Sequence, residues 1–117
     1  MFKQMISTIN SECRGANISR IINVTALGAS ELRQLLTVAH GIEASREQRD
    51  LAVRFVESQC CNGLIYLVEG RTPTGMSRLA LIDYDEANES EPHQLLCPNY
   101  FDSAHSALSY LVERTND

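Results

Sequence analysis

Residues 64–84 carry the pattern that most limits the fold. Two short apolar runs, LIYLVEG and SRLALIDY, flank the segment RTPTGM. Pro73 and Gly75 supply turn chemistry, so the runs are expected to fold back on each other as an antiparallel hairpin. Neither run alternates cleanly between apolar and polar residues. A sheet with one wet face does alternate, so both faces here need cover, from helices on one side at least.

The flanking sequence offers those helices. Phe2, Met5, Ile6, Ile9 and Cys13 recur at helical spacing, and Gly15 can end that helix. Ser30 is expected to cap a helix over ELRQLLTVAH, with Leu32, Leu35, Leu36 and Ala39 inward and Gly41 as its stop. Ser45, with Gln48 three residues on, forms a capping box for a helix through REQRDLAVRFVESQCC. Its expected apolar stripe is Leu51, Ala52, Phe55 and Val56, with Asp50 and Arg54 as an i,i+4 ion pair and Asn62-Gly63 as terminator.

HQLLC, stopped by Pro98, reads as a third strand. Asp102 or Ser103 caps AHSALSYLVER, whose stripe is Ala104, Ala107, Leu108, Leu111 and Val112. Residues 18–27 suit helix or strand, and their β-branched crowding tilts them to strand. The expected class is α+β: N-terminal helices packed on a small antiparallel sheet, followed by a C-terminal helix. The sheet has about three strands, or four if residues 18–27 join. A chain of 117 residues fits one domain, 1–117.

Apolar residues make up 44% of the chain and charged residues 21%, a globular balance. No apolar run approaches the roughly 20 residues that span a bilayer. Gln4, Ser7, Thr8 and Asn10 interrupt the first segment where a secretory signal needs continuity, so the expected compartment is the cytoplasm. Cys13, Cys60, Cys61 and Cys97 are too irregularly spaced to define a disulfide framework.

Charge is uneven. Residues 1–60 carry seven Lys/Arg against six Asp/Glu, whereas residues 61–117 carry three against nine. Five of those acids fall in DYDEANESEPH, residues 83–93. A calcium loop is excluded there, because Ala87 stands at a ligand position and the turn glycine is missing. Asp83 and Asp85 alone are a weak magnesium signal. Zinc drawn from Cys60, Cys61, His93 and Cys97 has one plausible half-site, His93 and Cys97, and adjacent cysteines in place of the other. No nucleophile elbow, phosphate loop or dinucleotide fingerprint occurs.

The leading expectation is therefore a small acidic non-enzymatic interaction protein, an inhibitor, immunity factor or accessory regulator, without a cofactor or bound metal. Its expected contact residues are Asp83, Tyr84, Asp85, Glu86, Glu89 and Glu91, set against a basic protein partner. Tyr84, Tyr100, Phe101 and Met76 are candidate apolar anchors. One alternative is a DNA-binding regulator built on residues 31–40 and 46–61, using Arg46, Arg49 and Arg54. Glu47, Asp50 and Glu57 share that surface and count against nucleic acid. A second alternative is a small cysteine- or metal-dependent enzyme. Homodimerisation through a sheet edge stays open.

Overall fold

The computed structural model describes residues 2–38 and 42–116. Four helices and a four-stranded antiparallel sheet give the α+β class. In chain order they are α1 (Phe2–Glu12), β1 (Arg20–Leu27), α2 (Ala29–Val38), α3 (Arg46–Gln59), β2 (Ile65–Arg71), β3 (Ser77–Tyr84), β4 (His93–Leu95) and α4 (Ala104–Thr115). The sheet is a meander of order β1-β2-β3-β4, so residues 20–27 are its fourth strand.

Register explains why β2 and β3 read as unbroken apolar runs. Tyr66 pairs with Ile82, Leu67 with Leu81, and Val68 with Ala80. Successive residues point to opposite faces, and each face meets helices. Ile65, Leu67, Leu79 and Leu81, with Leu27 of β1, join Leu32, Leu36, Val53, Val56, Leu108 and Leu111 of α2, α3 and α4. Val68, Ala80 and Ile82 face the other way, against Met5, Ile9 and Cys13 at α1 and Ile18. Among the described residues, three helices thus lie on one face of the sheet and one crosses the other.

Local chemistry sets the element boundaries. Gly15 (φ 83°) turns the chain out of α1, and the Asn10 side chain then brackets Ile18, accepting its N–H at 2.8 Å and donating to its carbonyl at 2.9 Å. Ser45 and Gln48 form the capping box of α3, and Ser103 caps α4 by accepting the Ser106 N–H. After Cys60 a short helical turn carries Asn62 and Gly63, both at positive φ, into β2.

Several side-chain expectations need correction. Ser30 lies inside α2 rather than capping it, because the Gly28 carbonyl already accepts the Leu32 N–H. The Ala39 and Gly41 assignments fall outside the described residues. Asp50 pairs with Arg33 of α2, not with Arg54, since the packed neighbouring helix brings that guanidinium within reach. The α3 stripe buries Ala52, Val53 and Val56 and leaves Leu51 exposed, a rotation that fits packing between α2 and α4. Ala104 is exposed at the first residue of α4.

Residues 93–101 cover the β3 edge in two pieces. Beyond β4, the Leu96 N–H reaches the Leu81 carbonyl, and Phe101 exchanges two backbone bonds with Leu79, both 2.8 Å. Phe101 then packs on Tyr110 of α4, whereas Tyr100 faces α1 beneath Arg78, whose guanidinium lies 4.4 Å from the ring centroid. Among the described residues no helix is long and apolar enough to cross a membrane.

Candidate functional site: a groove beside an acidic hairpin

One helix cannot cover a four-stranded face. Past α1, the uncovered part of the sheet forms a groove of about 380 Å³ lined by Phe2, Gln4, Met5, Val24, Tyr66, Ile82, Tyr84 and His93. Its floor follows from the register. Tyr66 lies opposite Ile82, Tyr84 stands two residues further along the same face, and His93 is paired with Tyr84. The Tyr84 and His93 rings meet at 5.2 Å between centroids, tilted by 58°. Phe2, 44% exposed, stands on the α1 wall.

His93 is 7% exposed, and its Nδ1 is buried with no hydrogen-bonding partner among the described residues. A buried polar atom left so costs about 1–3 kcal/mol relative to a satisfied one. Burial drives the imidazole pKa below its ordinary value, which keeps the ring neutral at pH 7.

The acidic segment begins where this groove ends. Tyr84 and His93 are the last ladder pair between β3 and β4, and residues 85–92 form the loop joining them. The loop is folded by its own polar groups. The Asp85 N–H donates to the Pro92 carbonyl at 2.7 Å, and the Asp85 carboxylate accepts the Ala87 N–H at 3.0 Å. The Asn88 side-chain oxygen accepts the Glu91 N–H and the Ser90 hydroxyl, both at 3.2 Å. The Asp85 contact is an Asx turn, and the Asn88 side chain holds the backbone three residues on.

The six residues expected to contact a partner therefore divide by role. Glu86, Glu89 and Glu91 are exposed on the loop. Asp85 closes the turn, and Tyr84 lies in the groove. Asp83 points to the opposite face, where its carboxylate accepts the Cys61 N–H at 3.0 Å and ties β3 to the end of α3. Burial raises the Asp83 pKa, opposed by hydrogen bonds from Cys61 and Tyr84.

The groove residues outside residues 83–93 showed in the sequence only as members of their own helix or strand, not as a site. They meet only through strand register and the path of α1. Of the other anchor candidates, Met76 is exposed in the β2–β3 loop, far along the sheet from Tyr84. Tyr100 and Phe101 are half-buried.

The metal and thiol candidates are dispersed. Among the described residues no three His, Cys, Asp or Glu side chains cluster as a metal site. His93 lies on the α1 face of the sheet, whereas Cys60 packs in the core of the opposite face. Burial pushes the Cys13 and Cys60 thiols up to about 11, and Cys61 is raised by burial and by Asp83. Of the arginines considered for DNA, Arg49 donates to the Ala44 carbonyl at 2.9 Å. Comparison with family models, curated proteins and solved structures finds no match to this chain.

Proposed function

We propose that this chain is a non-enzymatic interaction module of the cytoplasm, an inhibitor, immunity factor or accessory regulator that docks on a basic protein partner. The observation that carries the reading is the placement of Glu86, Glu89 and Glu91 on one exposed loop at the end of an open aromatic groove. Clustered carboxylates attract a basic surface over roughly a Debye length, about 8 Å at physiological salt, and raise encounter rates. The apolar groove beside them supplies short-range surface that long-range attraction lacks. Thiols held in their neutral form by burial suit this reading better than a cysteine enzyme, whose nucleophile is the thiolate.

The test is affinity capture from the native host at low and high salt, with wild type beside the triple variant Glu86→Gln, Glu89→Gln, Glu91→Gln. A basic protein retained at low salt should be lost at high salt and from the variant. With that protein purified, its association rate at low salt should fall roughly tenfold in the variant. Capture that is insensitive to both salt and variant rules out docking through the hairpin.

A further inference from the structure

Building on that reading, we infer that the groove is an anchor pocket for one aromatic or long aliphatic side chain of the partner, carried on a segment that places Lys or Arg beside it. The two halves of this requirement come from different features. The groove wall is formed by Met5, Val24, Tyr66, Ile82 and Tyr84, apolar or aromatic surface without a cation. Its volume of about 380 Å³ is at the small end of the roughly 300–1,000 Å³ found for ligand clefts, which suits a side chain rather than an extended ligand. Gln4 and His93 are the polar members of the lining, and His93 adds a buried Nδ1 lacking a partner among the described residues.

The second half comes from the hairpin. Its loop starts directly after Tyr84 and ends directly before His93, so anything seated on those rings lies at the root of the loop that carries Glu86, Glu89 and Glu91, with Glu91 beside His93. A basic residue one or two positions from the anchor meets those carboxylates, and an acidic one is repelled. Charge argues against a second copy of this chain as the occupant. A second copy carries the same net charge of −5, so like-charge repulsion opposes it. The required partner is therefore basic and apolar at once.

Three capped tripeptide amides, Lys-Phe-Lys, Lys-Ala-Lys and Glu-Phe-Glu, test this by NMR titration of the isotopically labelled full chain. The methyl signals of Met5 and Ile82 report the groove, and the amides of residues 86–91 report the hairpin. Lys-Phe-Lys should move both sets, with an apparent affinity at least fivefold above either other peptide. Lys-Ala-Lys should move the hairpin amides only. The variant Val24→Trp, which fills the groove, should abolish the methyl shifts and keep the hairpin shifts.

If Lys-Phe-Lys and Lys-Ala-Lys act alike on the hairpin and neither reaches the methyls, the anchor pocket is overturned and the acidic dock survives. Equal binding of Glu-Phe-Glu and Lys-Phe-Lys makes the groove a general apolar site and overturns the basic requirement. Methyl shifts that grow with protein concentration alone make the occupant a second copy and overturn the inference. Silence of the hairpin to both lysine peptides overturns the docking reading itself. Each of these four outcomes is observed on wild type and does not depend on the variant folding.

Discussion

Replacing Asp83 separates structural charge from docking charge within a single acidic stretch. Its carboxylate is the acceptor for the Cys61 N–H at 3.0 Å, a partly buried bond joining β3 to the end of α3. Burial is the largest influence on the group and raises its pKa above 3.8. A raised carboxyl pKa means folding favours the protonated form. Its stabilising contribution is present at low pH and is lost as pH rises through the folded pKa. At pH 7 the ionised Asp83 is therefore a mild burden on the fold, although its hydrogen bond is useful.

Asp83→Asn keeps an acceptor oxygen and removes the charge, so stability at pH 7 should stay level or rise. The gain stays under about 1 kcal/mol because solvent screens a half-exposed carboxylate. Asp83→Ala also removes the charge but leaves the Cys61 N–H without its acceptor, a loss of about 1–2 kcal/mol. The two variants should differ by that amount in urea denaturation at pH 7, or by about 4–8 °C in Tm for a domain of this size. Equal stabilities for Asn and Ala would refute the assignment of the bond. A large loss in Asn would refute the sign of the charge contribution.

Three further outcomes follow from particular contacts. Gly70→Ala should destabilise by about 1–3 kcal/mol, read by thermal unfolding, because its Cβ would stand 3.0 Å from two Ile18 carbons and 3.1 Å from the Arg20 carbonyl oxygen. Ser45→Ala removes the acceptor for the Gln48 N–H and half of the capping box, a loss of about 1 kcal/mol in urea denaturation. His93, facing Tyr84 across the ladder and near Glu12, Glu91 and Gln94, has its pKa lowered from 6.5 by burial. Stability should be full above that value and fall as pH drops through it towards the folded pKa, and His93→Gln should flatten this slope in Tm measured from about pH 8 to pH 5.

The parts of the fold legible in the sequence were those set by local patterns. The β2–β3 hairpin shows in its Pro73–Gly75 turn, and its doubly apolar runs require the cover that both faces receive. The α3 capping box is equally local. Partner choice was less legible wherever packing decided it. Asp50 has Arg54 at ideal helical spacing, yet Arg33 on the adjacent helix takes it and holds its carboxyl below the usual range. Asp83 and Asp85 looked like one pair of carboxylates, and the structure gives one to the α3 end and the other to a turn.

The groove was the least legible feature. Val24, Tyr66, Ile82 and Met5 come from four elements and meet only because α1 crosses part of the face. Tyr66 and Tyr84 among aliphatic neighbours were the nearest thing to a hint. Their register positions, and with them the groove, follow from pairing that no window of sequence contains.

If a partner engages the α1 face of the sheet at its acidic end, hydrogen exchange on the complex with the captured basic protein shows it most directly. Exchange should slow at residues 84–93 and along residues 24–26 of β1, with α2, α3 and α4 unchanged. Protection confined to α2 and α3, with residues 84–93 exchanging as in the free protein, would contradict docking at this face.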